Sequence, residues 1–177
     1  GSRVSLIVGF IPQVIVLLIG VPLGLIAGYA GGRVDNLLMR FTDIIIAFPD
    51  ILFVITITTA LRETFLGQAF NGLLLIFTAL SIVGWTGITR LVRGQVLSVR
   101  EKEYVEAAAS LGASRGRIVS RHILPNILGV LIVAETLAIP TYISYEAFLS
   151  FIGLGVNAPT PSWGGMINEG ARSIQSY

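Results

Sequence analysis

Of the 177 residues, 54% are hydrophobic and only 12% are charged, against roughly 25% charged in an average soluble domain; with a mean hydropathy of +0.83, the chain is too apolar to fold around a water-soluble core. The formal charge of +2 comes from sparse basic residues separated by apolar runs, which excludes a nucleic-acid surface. No cysteine and a single histidine exclude disulfides, Cys-based metal sites and a His-rich cluster, so no metal site is expected.

Four apolar segments, residues 4–30, 37–61, 72–99 and 118–149, are each long enough, at about 1.5 Å per residue, to cross a hydrocarbon core roughly 30 Å thick. None alternates with the period of two that a barrel strand needs, and lipid leaves every backbone group to be satisfied within the protein. The pattern predicts an all-α membrane protein, a polytopic helical bundle. The first segment is too long for a signal peptide and lacks its basic leader. Gly20, Gly24 and Gly28 recur along it every four residues, a small-residue face against which a neighbouring helix can pack closely. A short polar turn at 31–36 leads into the second segment, and another at 62–71 leads into the third. Pro12, Pro22, Pro49 and Pro140 lie inside apolar stretches and predict kinks.

Arg90, Arg93, Arg100, Lys102, Arg115, Arg117 and Arg121 crowd one stretch, which the positive-inside rule places in the cytoplasm. Counting back, the 62–71 turn lies outside, the turn carrying Arg33 and Arg40 inside, and Gly1 outside. After the fourth segment the Gly/Pro-rich run 153–165 is expected to be external and irregular or re-entrant, with no further complete span before Tyr177. Trp163 in that run reads as an interfacial anchor or as part of an outer docking mouth. A chain that starts and ends on the outer side reads as an excised piece of a longer subunit.

Asp43, Asp50, Glu135 and Glu146 lie within or near apolar segments, where an ionised group at the bilayer centre costs about 2.5 to 3.5 kcal/mol even on insertion scales. Glu135, about ten residues beyond Pro125, and Asp43 are the candidate pathway residues. The alternatives are a structural pair with a hydroxyl or an Arg for Glu135, and a marker of interface depth for Asp43 and Asp50. His122, one imidazole beside an Arg, reads as structural or interfacial and not as a metal ligand.

Between the third and fourth segments, residues 100–117 form an unusual insertion. Ala, Leu and Glu favour helix, and Tyr104, Ala108 and Leu111 share one helical face. Gly112 ends that helix in a left-handed C-cap and turns the chain into a second helix near Ser114. A compact helix-turn-helix knob with small side chains and a charged rim suits docking in a groove.

Glu106-Ala107-Ala108, then Gly112 after three intervening residues, and then Leu124-Pro125 resemble the EAA loop of ABC importer permeases. His122 departs from the general pattern, but Arg121-His122-Ile123-Leu124-Pro125-Asn126 is similar to the dipeptide, oligopeptide and nickel subgroup, nearest to C-type dipeptide permease subunits. Residues 31–35, 43–49, 90–95, 150–155 and 159–164 resemble the same subgroup. The resemblance implies the core of a type I ABC importer transmembrane domain spanning 1–177, as a fragment lacking its first and last helices, with an external segment at 150–177. It implies that the 100–117 knob is a coupling helix held in a cytoplasmic nucleotide-binding subunit, with Tyr104, Glu106, Ala107, Ala108, Leu111, Gly112, Leu124 and Pro125 carrying the coupling. It further implies a second homologous permease subunit, two cytoplasmic ATP-binding subunits, an extracytoplasmic substrate-binding protein and a multi-pass place in a bacterial or archaeal inner membrane, in contact with lipid and not with nucleic acid. No G-x-x-x-x-G-K-[ST] run occurs and Lys102 is the only lysine, so the chain is expected not to be an enzyme: ATP and Mg would be bound by partners, with no cofactor in this chain. The transported substrate, peptide or nickel, stays open. Two other classes stay open as well: an ion-coupled secondary transporter using Glu135 and Asp43, and a membrane scaffold without transport.

Overall fold

The computed structural model describes residues 1–157 and 159–175, the last of these without its side chain; Ala158, Ser176 and Tyr177 of the expected external segment lie outside the described residues. Among the described residues all regular structure is helical: α1 (Ser2–Ala30), α2 (Gly32–Ile46), α3 (Asp50–Ala60), α4 (Phe65–Gln68), α5 (Leu73–Arg100), α6 (Glu103–Ser110), α7 (Arg115–Ile118), α8 (Leu124–Phe151) and α9 (Trp163–Gln175). A 3-10 turn at Ala69–Gly72 precedes α5, and a π-helical turn at Val119–Ile123 joins α7 to α8. Among the described residues three continuous stretches are long and apolar enough to cross a membrane, Ser2–Ala30, Phe65–Arg100 and Arg115–Phe151, and α2 with α3, bent by 77°, is so as a pair.

The second apolar segment is two helices where one was expected. Pro49 has no N–H to donate and disfavours helical geometry in the residue before it. So α2 ends at Ile46, and Pro49, with φ −60° and ψ 125°, becomes the N-cap of α3. The expected polar turn at 31–36 shrinks to one residue, Gly31 at φ +65°, because glycine alone reverses the chain there without a Cβ penalty. The external run is irregular only to Ser162; Trp163, Gly164 and Gly165 are the first turn of α9. Its apolar positions Trp163, Met166, Ile167 and Ile174 recur at helical spacing, a signal that the glycines at 164, 165 and 170 obscure.

The chain forms two compact units. One comprises residues 16–47 and 84–136. In its core Val16, Ile88, Val92 and Val96 join Val105, Ile118, Ile123, Ile127 and Leu131. Gly20, Gly24 and Gly28 on α1 sit against Ile88, Val92 and Val96 on α5, and a Cβ on Gly24 would come within 2.5 Å of the Val92 Cβ. Thr89 Oγ1 donates to Gly20 O at 3.3 Å and Arg100 Nη1 to Gly28 O at 2.9 Å, an approach that only glycine permits.

The other unit comprises residues 1–15, 48–83 and 137 onward, around Val8, Val54, Ile76, Leu80, Tyr142 and Leu149. Two loops clasp one another in it: Asn157 N–H donates to Asn71 O at 2.7 Å, Asn157 Nδ2 to Gly67 O at 3.1 Å and Asn71 Nδ2 to Thr160 Oγ1 at 2.8 Å. Asn71 and Phe70 hold positive φ, 58° and 51°, a strained state for non-glycine residues that this clasp maintains.

Candidate functional site

The segment singled out by the sequence folds as a knob built from a short helix, a reversal and a second short helix. α6 closes with the two bonds of a Schellman motif: Ala113 N–H donates to Ala108 O at 3.1 Å and Gly112 N–H to Ala109 O at 2.9 Å, with Gly112 at φ +82°. That geometry penalises any residue with a Cβ. Ser114 then caps α7, its Oγ accepting from Arg117 N–H at 3.4 Å.

One side chain anchors the knob. Val105 is 4% exposed and packs with Ile118 and Ile123. The other faces of α6 are open: Tyr104, Glu106 and Ala107 are exposed, Ala108 is half-buried, and Leu111 at the tip is 89% exposed. Tyr104 keeps a tilted ring contact with His122, centroids 6.4 Å apart, which gives His122 a packing role. Glu106 borders an open cleft of about 320 Å³ whose walls include Tyr29, Arg100, Val105 and Ile118.

Pro125 cannot donate to Arg121 O, and its ring would crowd that carbonyl in a regular α-helix. The chain widens into a π turn just before it, with Leu124 N–H donating to Val119 O. Asn126 Nδ2 donates to His122 O at 2.6 Å. Leu124 packs on the same core as Val105, whereas Pro125 is exposed. The structure thus brings Tyr104 through Gly112 together on the knob and sets Leu124 and Pro125 at the start of the helix that leads from it.

The two acidic candidates sit in different surroundings. Asp43 on α2 is exposed and ion-paired with Arg90 on α5. Glu135 on α8 is 7% exposed, and its Oε2 has no hydrogen-bond partner among the described residues. Sequence reasoning used Arg90 and Arg93 to orient the chain and as part of the 90–95 resemblance, and missed that both reach α2: Arg93 grips Asp35 in a bidentate pair, Nε to Oδ1 at 2.5 Å and Nη2 to Oδ2 at 2.6 Å. Two Asp on α2 and two Arg about a turn apart on α5 were the available signal. It also missed the shell of Glu146, which is fully buried and accepts from Ser5 Oγ at 3.1 Å and Ser150 Oγ at 2.7 Å. No sequence pattern marks three serines from three separate stretches. Ser162 Oγ donates to Ser150 Oγ at 3.2 Å, and Trp163 N–H to Ser5 Oγ at 3.2 Å, so this shell also holds the start of α9.

Residues 20–176 match the family described as the binding-protein-dependent transport system inner membrane component. Across its whole length the chain is 44% identical to the oligopeptide transport system permease protein OppC of Bacillus subtilis, covering 55% of that protein. It is 43% identical over 99% of its length to the dipeptide transport system permease protein DppC of the same organism, covering 52% of it. The chain therefore spans about half the length of the curated relatives it matches. A chain in the inward-facing structures of the MetNI methionine ABC transporter superposes with a TM-score of 0.76 at 21% identity, over 89% of this chain and 74% of that one. At that identity the likeness shows a shared fold, that of an ABC importer transmembrane domain.

Proposed function

This chain belongs to the family of binding-protein-dependent transport system inner membrane components, and on that premise we propose that it forms the membrane-spanning core of a permease subunit in an ATP-driven peptide importer. The observation that carries the proposal is the exposed tip of a rigidly mounted knob. Leu111, Glu106 and Ala107 face outward on a helix that Val105 anchors and the Gly112 reversal shapes. Burying a side chain such as Leu111 in a partner's groove supplies about 1.5 to 3 kcal/mol, and small neighbours at 107 and 108 allow close approach.

In this reading the groove belongs to a cytoplasmic ATP-binding subunit. The importer has two such subunits, with a second, homologous permease subunit and an extracytoplasmic substrate-binding protein, in the inner membrane of a bacterium. ATP and Mg bind those cytoplasmic subunits, since this sequence has no P-loop. Closure of the two ATP-binding subunits moves α6 as a body. The motion passes through Val105 into Ile118 and Ile123, and so into the helices on either side of the knob. Peptide as cargo rests on the printed names of the relatives. Asp43 and Glu135 supply polar points along the path: the exposed Asp43–Arg90 pair needs polar surroundings in place of lipid, and Glu135 offers an acceptor that nothing in the described chain satisfies.

The test uses the full complex. Gly112→Val and Glu106→Ala are expected to lower substrate-stimulated ATP turnover at least fivefold while the subunits still co-purify. Full stimulation in both variants would remove the assignment. Residues 1–177 contain no cysteine, so Ala107→Cys places a crosslinking thiol on the knob with no other in this stretch, and it is expected to capture an ATP-binding subunit.

A further inference from the structure

A second open cleft, of about 340 Å³, is walled by Leu25, Ile26 and Tyr29 on the last turns of α1 and by Arg115, Gly116 and Val119 where the fourth span begins. We propose that this cleft is a binding site for one anionic phospholipid of the cytoplasmic leaflet, its acyl chain lying along Leu25, Ile26 and Val119 and its headgroup held by Arg115.

Position is the first argument. One candidate span ends at Ala30 and another begins at Arg115, so the cleft lies between the ends of two candidate spans. Leu25 and Ile26 are four to five residues before Ala30, about 6 to 8 Å deeper along the helix, which is acyl depth when Arg115 is at headgroup depth. Charge is the second. Arg115 forms no ion pair among the described residues, and neither do Arg117 and Arg121 close by in the chain. No carboxylate lines the cleft. Basic residues at the cytoplasmic surface attract anionic headgroups, whereas a zwitterionic headgroup carries no net charge to be attracted. Shape is the third. A Cβ on Gly116 would meet nothing within 4 Å, so the mouth is open, and the remaining wall is almost wholly apolar, unsuited to a free cytosolic anion.

The inference stands on the membrane spans and not on the coupling role of the knob. Its test is native mass spectrometry of the complete complex from nanodiscs containing phosphatidylglycerol and phosphatidylcholine in equal parts. The expected result is a retained phosphatidylglycerol adduct whose occupancy falls at least fivefold in Arg115→Gln, which removes the charge, and in Gly116→Leu, which fills the cleft and keeps the charge. Arg121→Gln should retain it. Equal retention of phosphatidylcholine would overturn the proposal, as would an equal loss in Arg121→Gln, which signals diffuse attraction in place of a site. So would crosslinks from Gly116→Cys to a neighbouring subunit, which would show that protein fills the cleft. Subunits that fail to co-purify count against the importer reading and leave the lipid assignment to be read from this chain's own adducts.

Discussion

The two units solve the problem of polar groups in an apolar chain differently. In the unit of residues 16–47 and 84–136, two ion pairs tie α2 to α5, Arg93 to Asp35 and Arg90 to Asp43. There the backbones of α1 and α5 touch through glycine. In the unit of residues 1–15, 48–83 and 137 onward, a buried carboxylate, Glu146, is met by neutral hydroxyls, and loops are tied by amide side chains. Ion pairs fix two long helices with few contacts and respond to salt where they are exposed. Hydroxyl shells are weaker bond by bond, but they reach short, irregular segments such as the entry to α9. The first unit therefore holds its shape under a knob that we propose is pulled, and the second organises loops.

The largest expected effect comes from Gly24→Val, where the added atoms would collide with Val92 Cβ and Thr89 O. Overpacking of this kind costs about 3 kcal/mol. The measurement is the detergent unfolding midpoint, and an unchanged midpoint would mean that α1 and α5 are not in backbone contact. Next is Asp35→Asn, which leaves Arg93 without its bidentate partner in a site where the Asp side chain is 11% exposed; the expected loss is about 2 kcal/mol, since the partly exposed Arg93 recovers some hydration. Ser5→Ala follows, at about 1 kcal/mol. It removes a donor to Glu146 and the acceptor of Trp163 N–H, so it should speed amide exchange at 163–165 while leaving 103–111 unchanged. A uniform response would erase the contrast between the units. Asp43→Asn is the smallest, within about 0.5 kcal/mol because the pair is exposed; its readout is loss of the salt dependence of the midpoint. A large stability loss there would make Asp43–Arg90 a structural clamp and not a path element.

Much of the fold was legible because lipid imposes it. Long apolar runs must be helices, so α1, α5 and α8 follow from composition alone. Gly112 was legible too, since a helix-favouring run ending in glycine specifies a left-handed cap locally. Less legible was the division of the second apolar segment, although Pro49 is its cause, because a proline within a hydrophobic run signals a kink without giving its size. α9 was hidden by three glycines, whose low helix propensity is offset once Ser162, Ser5 and Asn168 hold its first turns. The residues that mount the knob were half visible. Tyr104, Ala108 and Leu111 share the face that periodicity found, yet Val105 anchors the helix and Leu111 is its exposed tip, because burial depends on which neighbour arrives and not on hydrophobicity.

By itself the sequence determined what depends on neighbouring residues and on the solvent: helical spans in a bilayer, a basic stretch between two of them, and the glycine-closed knob within that stretch. Tertiary structure alone decided which groups meet across the chain. Asp35 with Arg93, Ser5 with Glu146 and Gly24 with Val92 are separated by tens to more than a hundred residues, and no local preference encodes such pairs. They follow from the packing that brings distant segments into contact, where a buried polar group must find a partner or cost several kcal/mol.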